Sequence, residues 1–311
     1  MYSSHTRLKY KTISDAARGR KSIYEMTSSN IDFSTNRISP YQERPMKSFR
    51  IALVYLCFLL FTSAHTQALA AFGMLIPSRL TVDSARDAAL AVSLRFWEPF
   101  ENIGSDLEMP ASFQVYHGGK TTDLSMTLTE GTESGRRTWQ TAYTVVEPGA
   151  YAFVMEQRPI YDKDNDAFSV HSTKVYVNAF GSDEGWDSAL GLKAEIVPLV
   201  TPGSLYAGNV FQGVVLMGGE PAPYAQVAVQ WYPGPGKRGV APHRGMITQV
   251  LRADKGGVFT YAAPRSGWWC FAASNAAKER LPYQNEDKPV EIISEFWVYF
   301  YEMPSPATIG K

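Results

Sequence analysis

Apolar residues recur at every second position along much of the chain. Leu90, Val92, Leu94 and Phe96 share one face of such a run, Leu124, Met126 and Leu128 of a second, and Val227, Val229 and Trp231 of a third. This is the period of a β-strand with one face in a core. Turn signals punctuate the runs at Gly118-Gly119, Pro148-Gly149, Gly218-Gly219, Asp254–Gly257 and Pro264–Gly267. Short strands at this spacing predict an all-β chain built as two tandem β-sandwich domains. The first is expected over 71–180 and the second over 205–302, with a loose tail over 303–311. Between them, 181–204 is rich in Gly, Pro and Asp. It reads as a linker with one short helix over Asp183–Leu190, capped by Ser182 and stopped by Gly191. The other reading, a long loop inside one sandwich, goes against the shortness of most loops.

The start of this β-rich part is set by the stretch before it. Met46 is followed by Lys47 and Arg50, an apolar run from Ile51 to Phe61, small and polar residues, and Ala68-Leu69-Ala70. A charged start, a short apolar core and an A-x-A end are the parts of an export signal. The run is too short to span a bilayer, which takes roughly 20 apolar residues. The expectation is a signal over 46–70, cut after Ala70, and a periplasmic protein without a transmembrane segment. A membrane anchor or a buried strand is the competing reading. Residues 1–45 are polar and basic without periodicity and are expected to be a disordered or mis-assigned extension.

The overall charge hides an asymmetry. Of 30 Lys/Arg and 30 Asp/Glu, ten and four precede Ala71, which leaves 20 against 26, a net charge of −6. Such a chain is not built to bind nucleic acid and weakly favours cations. Of the two cysteines, Cys57 falls in the signal, so Cys270 stands alone and no disulfide forms within the mature chain.

Few motifs carry chemistry. Gly234, Gly236 and Gly239 fit G-x-G-x-x-G, but Pro235 and Pro242 bar the helix a dinucleotide site needs, so the stretch reads as a loop. Asp162, Asp164 and Asp166 resemble the start of a calcium loop. Ala167 and Thr173 stand where its Gly and closing Glu belong, so a solvated acidic turn with some pull on cations is expected. Neither H-E-x-x-H nor G-x-S-x-G occurs, which speaks against an enzyme. Three histidines follow Ala70: His117, His171 and His243.

The stretches "FGMLIPS", "SVHSTKVYVNAFGSDEGWDSALGLKAEIVPL", "LYAGNVFQGVVL" and "TQVLRADKGGVFTYAAPRSGWWCFAA" together resemble the NikM-like family of exported bacterial proteins. That family is described as the periplasmic component of an ABC-type cobalt or nickel transport system. The order of strands and turns after 205 also looks like Ig-like modules related to transthyretin. The family resemblance implies a non-enzymatic protein that binds a divalent cation, nickel or cobalt, and works with a membrane metal-transport complex. It implies ligands at His171, in the "HSTK" strand, and at two further imidazole positions. Those positions are occupied here by Ala71 and Glu98, and Cys270 replaces a glycine. Candidate metal residues are therefore His171, Glu98, Asp162 and Asp164, around a reduced site. The alternative is a non-catalytic β-sandwich that binds a protein or glycan, with the aromatics of "GWW" and "EFWVYF" as contacts.

Overall fold

A strand whose two faces are both apolar can lie only between two other layers. Two strands of this chain are of that kind, and they organise the fold. The computed structural model describes residues 71–305. The expected extension, the expected signal and the end of the tail lie outside these residues. Strands β1 (Phe72–Pro77), β2 (Thr81–Val82), β3 (Ala89–Glu98), β4 (Ile103–Ser105), β5 (Ser112–His117) and β6 (Lys120–Asp123) come first. They are followed by β7 (Thr129–Glu133), β8 (Arg136–Thr144), β9 (Gly149–Glu156), β10 (Ile160–Asp162) and β11 (Ala167–Ala179). The second part holds β12 (Ala194–Pro198), β13 (Leu205–Tyr206), β14 (Val210–Met217), β15 (Glu220–Pro221), β16 (Gln226–Tyr232) and β17 (Thr248–Arg252). It ends with β18 (Val258–Ala262), β19 (Gly267–Tyr283) and β20 (Glu286–Tyr301).

These strands form three sheets. One runs β1-β3-β8-β7 with β4 beside β3, and another runs β12-β14-β15 with β18 beside β14. Between them lies a sheet of eleven strands in the order β17-β16-β19-β20-β11-β9-β5-β6, with β2, β10 and β13 attached. The chain is thus all-β, with two successive β-sandwiches, as the alternation predicts. The two sandwiches share the central sheet. Along β11, Val175 and Val177 face the core under β1 and β3, while Tyr176 faces the core under β14 and β18. Along β20, Trp297 joins the first core, and Phe296 and Val298 join the second. Burying one such side chain contributes roughly 1.5–3 kcal/mol, so residues on both faces of these strands stabilise the shared sheet.

The seam is a parallel pairing. Strand β11 lies beside β20 from Phe168 opposite Val290 to Val175 opposite Trp297. Parallel pairs are usual where both faces are covered.

Two local expectations fail. Asp183–Leu190 is a series of turns, not a helix, and the presumed linker contains β12. The backbone N–H of Leu190 is held instead by the buried carboxylate of Glu195, and Trp186 and Leu190 pack on the second core. The run Leu124–Leu128 is a single 3₁₀ turn, not a strand. The Asp123 carboxylate takes the N–H and hydroxyl of Ser125, and the Thr127 hydroxyl bonds the carbonyl of Leu124. These local bonds compete with a sheet ladder, so Leu124 is buried while Met126 is 93% exposed.

Candidate functional site

The face of β11 that looks toward β1 and β3 carries His171 and Thr173, and both are buried. Across the parallel seam, Thr173 pairs with Glu295, which is fully enclosed. A buried carboxylate must be compensated by donors, and here there are three. The backbone N–H of Gly73 donates to Oε2 at 2.9 Å, and the Thr173 hydroxyl donates to the same oxygen at 2.6 Å. His171 Nδ1 lies 2.7 Å from Oε1. A carboxylate only accepts, so in the neutral ring Nδ1 carries the hydrogen and Nε2 keeps its lone pair. Nε2 makes no hydrogen bond among the described residues. The ring is also fixed by Phe96, edge-on at 5.1 Å.

Strand β1 is threaded against this cluster. Gly73 pairs with Phe96, and Phe72 with Trp97. Trp297 Nε1 donates to the Gly73 carbonyl at 2.7 Å. Alternate residues of a strand share a face, so Glu98 follows Phe96 on the side turned to β11. Continuing the register sets Ala71 opposite Glu98. Of the three positions named by the resemblance, Ala71 is thus set across from Glu98, and Glu98 lies two residues along β3 from Phe96, which packs on His171. The Glu98 carboxyl is held above its usual range by burial and, second, by the charge of Glu101.

Asp162 and Asp164 do not join them. They sit in the β10–β11 turn, where Asp162 accepts from the N–H groups of Asp164 and Asn165 and from the Asn165 amide. Desolvation pushes its pKa up, and these bonds together outweigh that and hold the carboxyl below its usual range. Five residues of strand separate Asp166 from His171, about 16 Å at 3.3 Å per residue. The acidic stretch is thus a turn locked by its own backbone. Among the described residues, no group of three or more His, Cys, Asp and Glu side chains is arranged to hold a metal ion. His243 is exposed beside a short 3₁₀ turn, and His117, at the end of β5, stacks on Tyr151. The aromatic contacts expected of "GWW" and "EFWVYF" are mostly core: Trp269, Phe296 and Trp297 are buried.

Sequence reasoning missed Glu295, the residue that orients His171. Its only signal was a lone carboxylate in the apolar run "IISEFWVYF". Such a residue requires a buried partner.

An all-β scaffold of two sandwiches on one sheet, with a histidine pinned by a buried carboxylate, defines the class. The chain belongs to the family described as "Domain of unknown function (DUF4198)", which matches residues 68–277. No curated protein matches the chain significantly. Among solved structures, the D0-D1 domain of intimin is similar at 12% identity, covering 73% of this chain and 97% of that one, with a TM-score of 0.22. E. coli alpha-2-macroglobulin in its native conformation is similar at 9% identity over 75% of this chain and 14% of its own length, with a TM-score of 0.20. A titin Ig tandem gives 11% identity, 72% and 99% coverage, and a TM-score of 0.17. No helix among the described residues is long and apolar enough to cross a membrane.

Proposed function

We propose that the protein is an exported, non-enzymatic component of nickel or cobalt uptake that holds a divalent cation at the open end of the first sandwich. One observation carries this reading. His171 is oriented through Nδ1 by the enclosed Glu295, which leaves Nε2 as its ligand atom. A carboxylate behind an imidazole fixes tautomer and ring and raises ligand basicity, the usual outer support of a metal-bound histidine. Glu98 supplies a second donor on the same face. Cleavage after Ala70 adds the α-amine of Ala71, set opposite Glu98 by the register of β1 and β3.

This donor set is poorer in imidazole than the resemblance implies, and a carboxylate favours harder ions. The affinity for nickel is therefore weak, with a dissociation constant on the order of 10 μM or above. Ligands must shed their protons to bind. The raised pKa of Glu98 makes proton and metal compete there, so binding strengthens as pH rises through the carboxyl range. In this reading the protein works in the periplasm and passes its cation to a membrane metal-transport complex.

The test is calorimetric titration of the processed protein and of His171→Ala with nickel and cobalt. The variant should bind at least tenfold more weakly, with its fold verified by circular dichroism. Equal heats from both proteins would remove His171 from the site. Nanomolar binding would mean that further ligands have been overlooked.

A further inference from the structure

The loop between β16 and β17 belongs to neither core nor to the metal site, and its charge sets it apart. No Asp or Glu occurs from Pro221 to Ala253, while Lys237, Arg238, Arg244 and Arg252 do. From Gln226 to Gly267 there are six Lys/Arg against one Asp, which leaves 14 against 25 for the rest of the chain after Ala70. An acidic molecule thus carries a basic segment, and that segment includes β17, the last strand at one edge of the central sheet.

The loop is pinned to the body of the protein. The N–H of Gly239 donates to the Phe100 carbonyl at 2.7 Å, and a Cβ at Gly239 would strike the Phe100 ring. Turns at Gly234–Lys237 and His243–Met246 hold its two ends. On this frame Val240 is 85% exposed and Met246 47%. Lys237, Arg238, His243 and Arg244 are exposed as well. Each lies within four residues of Val240, at most about 14 Å along the chain. Arg238 pairs with Glu101, whereas Lys237 and Arg244 form no ion pair among the described residues. Arg265, over the Trp231 ring at 4.7 Å, adds a cation from the neighbouring β18–β19 turn.

We infer that this loop docks the protein on an anionic lipid surface. A single exposed valine is ordinary, and so is a solvated lysine. Their combination on one fixed loop fits a headgroup layer, where cations meet phosphates and apolar side chains reach the acyl boundary. A soluble polyanion would satisfy the cations and leave Val240 in water. The acidic remainder of the molecule is repelled by the same surface, so the field turns the loop toward it. The inference is independent of the metal reading, since no residue of the loop is a ligand there.

The experiment is co-sedimentation of the processed protein with vesicles of equal parts phosphatidylglycerol and phosphatidylcholine, and with vesicles of phosphatidylcholine alone. The anionic vesicles should be bound, more weakly as salt is raised, and the neutral ones should not. Each cation beside an anionic leaflet is worth about fivefold in partition, so Lys237→Gln with Arg244→Gln should weaken binding roughly 25-fold. Val240→Ser should weaken it about fivefold. Lys120→Gln with Lys163→Gln makes the same change of charge at exposed positions outside the loop and should stay within about twofold of the parent. All these positions are exposed, so melting temperatures should match the parent's. The inference is overturned if anionic vesicles are not bound, if neutral vesicles bind equally, or if the two double variants lose binding alike. It is also overturned if Val240→Ser binds as the parent does, since the contact is then one of charge alone. Dimers that dissolve in the Lys237→Gln, Arg244→Gln variant would assign the loop to the acidic surface of a second copy instead.

Discussion

At the scale of single residues, Gly73 illustrates how closely the first sandwich is built onto β11. A Cβ at this position would run into the Thr173 hydroxyl and Glu295 Oε2, both fixed by the buried network. Gly73→Ala must therefore displace a carboxylate that has nowhere else to go. We expect a loss of about 2–4 kcal/mol in urea unfolding, from overpacking and a weakened network. Lys174 tests the other face of the same strand. Its Nζ lies 2.7 Å from Glu195, and both side chains are buried. Burial pulls the lysine pKa down, while Glu195 pulls it partly back up. Lys174→Met leaves Glu195 enclosed without its cation and should cost about 3–5 kcal/mol. Replacing Glu195 by Gln in the same background should restore part of that loss, because the stranded charge is gone.

At the scale of elements, the alternation in "FSVHSTKVYV" already placed Val175 and Val177 opposite Tyr176, and the two cores confirm this division. Period alone could not show that both faces would be covered, nor which strand would lie alongside. The neighbour of β11 is β20, and their cross-strand partners Thr173 and Glu295 are 122 residues apart. Short-range patterns hold no information on such a pairing. The same limit hid Glu295 as the partner of His171, although the histidine itself stood out. The helix expected over Asp183–Leu190 failed for a related reason, since tertiary contacts to Glu195 and the second core outweigh a weak local preference. Ser294 probes the seam, because it pairs with Ser172 on one side and Ala273 on the other. Proline there removes a ladder bond inside a central strand. Ser294→Pro should cost about 3 kcal/mol or more and should melt both sandwiches together by circular dichroism.

At the scale of the whole molecule, the shared sheet makes the halves depend on each other. The sequence alone suggested that 205–302 could stand as an Ig-like unit. In the structure this piece would lose β12 from beside β14 and β11 from beside β20, and it would bare Cys270 and Trp297 of the first core. Expressed alone, it should lack the cooperative urea transition that the full chain shows. Alkaline pH strains both halves. Burial is the main cause raising the pKa of Tyr116, Tyr143, Tyr176, Tyr232, Tyr261 and Tyr301. An acid whose folded pKa is raised keeps its proton longer in the native state. Above about pH 10 the unfolded chain therefore binds fewer protons, and stability falls as pH climbs. Melting temperatures recorded from pH 8 to 11 should decline at the upper end. A flat profile would show that these phenols ionise normally.

The parallel seam also sets an order of events. The stretch Val290–Trp297, which completes the neighbourhood of β11, is synthesised long after it, with Glu295 following its partner Thr173 by 122 residues. Distant contacts pay their loop-closure entropy before any stabilisation returns. The first sandwich must therefore wait, with one edge of β11 open and Glu295 absent, until β20 has emerged. The same delay makes β20 a safeguard: a product clipped before it leaves both halves unfinished and open to proteolysis.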